Sequence, residues 1–116
     1  MIKLITFLAL TLMLSVGTLA NENKPTTNLE KSTVIIDVRT AQEFSAGNIK
    51  NSKLIPYDVI TQKIAQVVPS KDTPIVLYCR SGRRSGIAER YLKDMGYTNV
   101  ENYGGMEEAK RKLGIK

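Results

Sequence analysis

The chain has 116 residues, 42% of them hydrophobic, and this length suits one compact domain with a single core. Lysine and arginine outnumber the acidic residues by 17 to 11, and the resulting charge of +6 favours anionic partners. Nucleic acid is not expected among them, because the longest basic run is "KRK" at 110–112 and no basic stripe contains interleaved aromatic residues. The sequence contains one cysteine and no histidine, which excludes Cys-His and Ser-His catalytic pairs and argues against a zinc site. We expect no cofactor.

The first 20 residues have the pattern of an export signal. Lys3 gives a positive start, an apolar run of eleven residues follows, and Thr18 and Ala20 occupy the -3 and -1 places of a cleavage site. The run is too short to cross a bilayer, which takes about 20 apolar residues. We therefore predict a signal peptide at 1–20, a flexible polar lead-in at 21–32 and a domain at 33–116. The mature protein would be periplasmic or secreted, with no stable membrane anchor after cleavage.

Strand and helix patterns alternate from residue 33 onward. Runs rich in β-branched and aromatic residues predict strands at 33–38, 52–57, 73–79 and 97–103. Amphipathic patterns predict helices at 40–47, at 58–68 with Asp58 as N-cap, at 87–95 and at 106–114, with Gly104 and Gly105 forming a tight turn before the last helix. This alternation is typical of an α/β domain whose mainly parallel central sheet is flanked on both faces by helices.

The stretch "CRSGRRSG" (79–86) raises the question of what the chain's one cysteine does. Cys79 falls at the carboxyl end of a predicted strand, which is where open α/β sheets bind ligands. Gly82 allows the following loop to curl so that successive N–H groups face the sulfur, and the next helix points its positive dipole end there. Arg80, Arg83 and Arg84 add positive charge, and such surroundings lower a thiol pKa. Cys79 is therefore a candidate nucleophile for an anionic substrate.

Less specific explanations of these residues remain open. A lone cysteine is most often a small buried apolar residue, and arginine-rich stretches are usually solvated surface. One of the three arginines is expected to face water.

Two segments carry a resemblance to a known family. Residues 34–57, "VIIDVRTAQEFSAGNIKNSKLIPY", and residues 74–105, "PIVLYCRSGRRSGIAERYLKDMGYTNVENYGG", resemble the two signature regions of single-domain rhodaneses. Together with the signal, they are similar to the exported phage-shock-type members, over about residues 33–114. Two positions depart from the family pattern: Asn48 replaces the histidine of Gly-His-Ile, and Ala109 or another small or polar residue stands where an aromatic residue is usual a few residues after the glycine pair.

The resemblance implies a three-layer rhodanese-like domain with a five-stranded parallel sheet, and a sulfurtransferase activity. Cys79 would be catalytic, taking the outer sulfur of thiosulfate as a persulfide and passing it to cyanide or a thiol. Asp37 and Arg39 match the family's Asp-Val-Arg segment and would support the site from below, with Glu43 as a weaker candidate. The substrate-binding loop would run through Arg80, Ser81, Gly82, Arg83 and Arg84.

Three other functions compete with sulfur transfer. Cysteine phosphatases and arsenate reductases use a similar loop, but the phosphatases place an arginine six residues after the cysteine, where this chain has Ser85. An inactive rhodanese-like binding module would not need the thiol that this chain retains. An exported redox protein would need a resolving thiol from another protein.

Overall fold

The computed structural model describes residues 31–115. The predicted signal peptide and most of the predicted lead-in therefore lie outside the described residues. The described elements, in chain order, are β1 (Val34–Asp37), α1 (Ala41–Ala46), β2 (Lys53–Leu54), α2 (Ile60–Val67), β3 (Ile75–Cys79), α3 (Arg83–Asp94), β4 (Val100–Gly105) and α4 (Met106–Leu113). Among residues 31–115 no helix is both long and apolar enough to span a membrane.

The strands form one parallel sheet in the order β2-β1-β3-β4. In its centre Asp37 of β1 lies opposite Tyr78 of β3, so the carboxyl ends of both strands meet at one edge, where Cys79 is the last residue of β3. The pairing of β3 with β4 shifts register between Leu77 and Cys79, which sets Cys79 opposite Gly105. This edge is where a parallel sheet brings residues from separate strands together.

Helices cover both faces of the sheet, as the alternating pattern predicted. On one face α2 and α3 bury the apolar residues Ile60, Ile64 and Leu92, and each such side chain contributes about 2 to 3 kcal/mol relative to exposure. On the other face Ala109 of α4 packs with Tyr78. The three-layer α/β fold with a parallel central sheet is thereby confirmed.

The described residues form four strands rather than the five that the resemblance implied. The predicted strand at 52–57 is reduced to Lys53–Leu54, because β2 is an edge strand that pairs only with the end of β1. The strand predicted at 97–103 begins instead at Val100 and continues to Gly105. Gly104 and Gly105 therefore end a strand and do not form a separate turn, and α4 follows directly.

Two helices begin at other residues than predicted. α2 has Val59 as N-cap and not Asp58, because the amide of Val59 donates to the carbonyl of Pro56 (3.1 Å) and closes a turn before the helix starts. α3 begins at Arg83, four residues before the predicted apolar stripe, with a first hydrogen bond from the Gly86 amide to the Gly82 carbonyl (3.0 Å). Residues Arg83 and Arg84 thus belong to a helix and not to the loop.

Candidate active site

Cys79 lies at the end of β3 with its side chain fully buried. Its sulfur accepts a hydrogen bond from the Gly82 amide (2.9 Å) and a longer one from the Ser85 amide (3.4 Å). The Ser85 hydroxyl lies 3.3 Å from the sulfur. Residues 79–82, called the Cys79 loop below, thus wrap hydrogen-bond donors around a thiol at the start of α3.

These contacts set the acidity of the thiol. Burial, the largest single influence, raises the pKa of Cys79, because a thiolate is poorly solvated inside the protein. The Ser85 hydroxyl and the amides of Ser85, Gly82 and Ser81 act in the opposite direction and together outweigh burial. The pKa of Cys79 is therefore lowered, which favours the nucleophilic thiolate without any general base.

Glycines at both sides of the sulfur make this geometry sterically accessible. Gly82 has φ +101°, a left-handed conformation that turns its amide toward Cys79 and that other residues adopt only with strain. Gly105, opposite Cys79 in the sheet, packs against the loop so closely that a Cβ there would overlap the Arg80 carbonyl oxygen. The glycine is therefore required for a close approach of two backbones.

Two polar side chains complete the surroundings of the thiol, and the sequence analysis did not assign either to the site. Ser85 is fully buried in the first turn of α3, and its hydroxyl donates to Asn102 Oδ1 (2.7 Å). Asn102 lies on β4, and its Nδ2 donates to the Gly82 carbonyl (3.1 Å). A signal for Ser85 existed: it is a small hydroxyl residue in the first turn after a glycine-capped loop. Asn102 gave none, because only sheet pairing brings it to the loop.

Arg84 is bound to Glu43 and not to the sulfur. Its two terminal nitrogens donate to the two carboxylate oxygens of Glu43 at 2.8 and 2.9 Å, joining α3 to α1 across 41 residues. Arg84 and the Thr40 amide lower the pKa of Glu43 to about 2, and the same pairing raises the pKa of Arg84. Thr40 and Glu43 also form the N-terminal capping box of α1, which orients the carboxylate. Attraction to Cys79 ranks behind this pairing among the influences on Arg84.

Asp37 and Arg39 form a second ion pair, and it is buried. The Asp37 carboxylate accepts from the Arg39 amide (2.9 Å), Nε (2.9 and 3.0 Å) and a terminal nitrogen (2.6 Å). Arg39 also donates to the Gly47 carbonyl (2.7 Å) and lies 5.7 Å from the centre of the Tyr78 ring. The hydrogen bond to Asp37 is the main reason that the pKa of Arg39 is raised. A solvated surface pair is excluded, since Asp37 is fully buried.

The remaining predicted substrate residues face outward. Arg80, Ser81 and Arg83 are exposed, and none of the ion pairs within residues 31–115 includes these arginines. A cleft of about 440 Å³ adjoins the loop, with Arg39, Arg80, Ser81 and Arg111 among its lining residues. Of the predicted loop residues, Gly82 therefore contacts the sulfur of Cys79 through its amide. Arg84 binds Glu43, and Arg83 lies at the surface. In the described part of the chain, no three side chains of Cys, Asp or Glu could hold a metal ion.

These observations define the class of protein: an α/β domain whose thiol lies in an amide-lined loop at the carboxyl ends of a parallel sheet. Residues 22–112 match the Rhodanese-like domain family, and the chain belongs to that family.

Relatives and solved structures agree with this membership. The chain is 38% identical over 73 residues to thiosulfate sulfurtransferase PspE of Escherichia coli K12, covering 63% of this chain and 70% of the relative. It is 36% identical over 72 residues to a sulfurtransferase of Allochromatium vinosum, covering 62% of this chain and 65% of the relative. The structure of a rhodanese with anions from E. coli superimposes with a TM-score of 0.64 at 37% identity, covering 66% of this chain and 89% of that one.

Proposed function

We propose that the protein is a sulfurtransferase that moves a sulfane sulfur from thiosulfate, or a similar anionic donor, to cyanide or a thiol through a persulfide on Cys79. The observation that carries this proposal is the pair of amides that donate to the sulfur, those of Gly82 and Ser85, together with the Ser85 hydroxyl 3.3 Å from it. These donors lower the pKa of Cys79 where no histidine exists to act as a base. The relatives named as sulfurtransferases support the same activity.

The reaction would proceed in two displacements at sulfur. The Cys79 thiolate attacks the outer sulfur of thiosulfate, forming an S–S bond while the bond to the sulfite group breaks and sulfite leaves with the electron pair. The acceptor then attacks the outer sulfur of the persulfide and returns the electron pair to Cys79 as a thiolate. Before the first displacement and after the second, the negative charge of the Cys79 thiolate lies near the loop amides, which stabilise it without reorganisation.

The arginines would serve this reaction in different ways. Arg80 and Arg83 are exposed cations beside the loop and would attract an anionic donor toward the neighbouring cleft. Arg84 would hold the start of α3 in place through Glu43, and Asp37 with Arg39 would fix the adjoining end of β1. Because Cys79 is fully buried, sulfur transfer would require a local opening of the loop.

Phosphoryl transfer is the second candidate, and the position of Arg84 weighs against it. A phosphatase needs a guanidinium over the cysteine to bind the oxygens of the phosphoryl group. Here the guanidinium of Arg84 is bound at both terminal nitrogens to Glu43, and position 85 is a serine buried against the sulfur. A pure binding module would not need donors that favour the thiolate, and a redox partner would need a resolving thiol from another protein, since the sequence contains one cysteine.

The test is a sulfur-transfer assay of the purified protein. Incubation with thiosulfate and cyanide should produce thiocyanate, and Cys79→Ser should lower turnover at least about 10³-fold while unfolding at a similar temperature. Ser45→Ala, at an exposed serine of α1, is the matched control and should retain activity. A parallel assay with a phosphate ester should show no release. Substantial turnover by Cys79→Ser would exclude the covalent mechanism.

We also propose that the protein is exported and cleaved after Ala20. The basis is the Lys3 start, the apolar run and the small residues before position 21. N-terminal sequencing of the protein from the periplasm or medium should begin at Asn21. A full-length protein that retains Met1 in the cytoplasm would contradict the proposal.

A further inference from the structure

Asn102 connects the last strand to both residues that hold the sulfur of Cys79. Its side chain lies near the carboxyl end of β4, where the register with β3 shifts. Nδ2 donates to the carbonyl of Gly82, and Oδ1 accepts from the hydroxyl of Ser85. Gly82 and Ser85 are also the residues whose amides contact the sulfur. One amide side chain therefore links the two sources of hydrogen bonds to the thiol.

The orientation of the Asn102 amide is fixed by backbone groups. The Gly104 amide can only donate, and it does so to Oδ1 (2.8 Å), while the Gly82 carbonyl can only accept, and it does so from Nδ2 (3.1 Å). Oδ1 must therefore be the atom that faces the Ser85 hydroxyl at 2.7 Å. Since an oxygen atom of a primary amide only accepts, Ser85 directs its one hydroxyl hydrogen to Asn102.

This arrangement has a consequence for the thiol 3.3 Å from the hydroxyl. While Ser85 donates to Asn102, its oxygen presents a lone pair to Cys79. This arrangement favours the neutral thiol, which can donate its S–H hydrogen to that lone pair. A thiolate has no hydrogen to give, so the Ser85 hydroxyl adds to the stabilisation by the amides only when it rotates and donates to the sulfur. Oδ1 then keeps the Gly104 amide as its donor, and no buried acceptor is left without a partner.

We propose that Asn102 is a positioning residue of the sulfur site. It holds Gly82 and Ser85 in place and accepts the hydrogen bond of the Ser85 hydroxyl whenever the thiol is neutral. On ionisation the thiol proton leaves to solvent, the hydroxyl turns about its Cβ–Oγ bond to the thiolate, and no other bond breaks. When the persulfide forms, the same rotation is available in reverse. The inference rests on the proposed nucleophilic role of Cys79, and Asn102 acts only through its neighbours.

The first test needs no substitution. The Nδ2 resonances of Asn102 and Asn99 are followed by NMR in labelled wild-type protein as pH crosses the titration of Cys79, which is measured separately by alkylation. The Asn102 signal should shift with the same midpoint as the alkylation, because Oδ1 loses the Ser85 donor. Asn99 is exposed at the opposite end of β4 and should not shift. An Asn102 signal that stays constant across this range overturns the proposal.

The second test replaces the amide with a carboxylate of the same shape. Asn102→Asp removes the donor to Gly82, binds the Ser85 hydroxyl more strongly and adds a negative charge, so alkylation of Cys79 at pH 7 should slow about tenfold. Asn99→Asp makes the same charge change at the far end of the strand and should leave the rate as in wild type. Thermal unfolding of both variants verifies that they fold. A folded Asn102→Asp protein with the wild-type alkylation profile overturns the proposal.

A third comparison separates the hydroxyl from the added charge. In a Ser85→Ala background the effect of Asn102→Asp should be smaller, because the carboxylate no longer has a hydroxyl to bind. An equal effect in both backgrounds overturns the role assigned to Ser85. Alkylation and NMR report on the thiol itself, so these results stand apart from thiocyanate production. A failed transfer assay beside a shifted profile would refute the proposed function and leave the role of Asn102 intact.

Discussion

The sulfur of Cys79 and the guanidinium of Arg84 lie at the same loop and helix start, but they have different kinds of hydrogen-bond partner. Neutral dipoles surround the sulfur: the amides of Gly82 and Ser85 and the hydroxyl of Ser85. A full opposite charge, the Glu43 carboxylate, binds the guanidinium. Fixed dipoles at hydrogen-bond distance stabilise a developing anion, whereas an arginine already paired with a carboxylate has little net charge to offer.

The difference indicates a division of labour around the site. Ion pairs at Glu43 and at Asp37 keep the secondary-structure elements together, and the dipoles tune the thiol. We therefore expect substitutions in the ion pairs to change stability more than thiol acidity. Substitutions among the dipoles should do the reverse.

Loss of the buried Asp37 charge should have the largest effect. Asp37→Asn leaves Arg39 without a counter-charge in a buried position, and breaking such a pair costs about 3 to 5 kcal/mol. Urea unfolding at pH 7 measures the change. Asp58→Asn alters an exposed aspartate in a turn and is the matched control. A loss below about 1 kcal/mol, the range of surface pairs, would show that the pair is not the support assigned to it.

The Ser85 hydroxyl should have the largest effect on the thiol. Ser85→Ala removes the strongest of the influences that lower the pKa of Cys79, so the pKa should rise. A hydrogen bond to a charged group contributes about 1.5 to 3 kcal/mol, and part of this is already committed to Asn102, so alkylation at pH 7 should slow about tenfold. The control is Ser45→Ala, at an exposed serine of α1. A pH profile unchanged from wild type would show that the Ser85 hydroxyl does not stabilise the thiolate.

The pairing of Glu43 with Arg84 should affect stability in a pH-dependent way. The pKa of Glu43 lies at about 2, below its ordinary 4.5, so its contribution is present above pH 4.5 and is lost as pH falls toward 2. Glu43→Gln should therefore cost about 1 kcal/mol at pH 7 and much less near pH 2. Urea unfolding at both pH values tests this, with Glu89→Gln as control, because its partner Lys93 is 54% exposed. An equal loss at both pH values would mean that charge is not involved.

Arg83 should have the smallest effect on the thiol. The sequence predicted that charge from Arg80, Arg83 and Arg84 would lower the pKa of Cys79, but Arg83 is exposed and Arg84 is paired. Screening weakens an exposed charge, so Arg83→Gln should change alkylation at pH 7 by less than about twofold. Arg90→Gln, an exposed arginine two turns further along α3, is the control. A tenfold loss for Arg83→Gln alone would contradict the division between dipoles and ion pairs.

Local sequence patterns predicted much of the scaffold. The glycine at position 82, the strand before it and the amphipathic helix after it placed the thiol at the carboxyl end of β3. The same reasoning misplaced the start of α3, because the apolar stripe from Ile87 marks a buried face and not the first hydrogen bond. It also ended β4 two residues too early, since Gly104 and Gly105 have turn-like composition although they belong to the strand and Gly105 pairs with Cys79.

By itself the sequence determined the order of strands and helices, the candidate nucleophile and the absence of an imidazole base, because these follow from periodicity, local backbone freedom and residue inventory. Only the tertiary structure decided which polar groups meet the sulfur. Asn102 is 23 positions from Cys79 in the printed sequence, and Glu43 is 41 from Arg84. Parallel pairing and helix packing bring such residues together, and a charge in the sequence cannot show whether a carboxylate from another element will neutralise it.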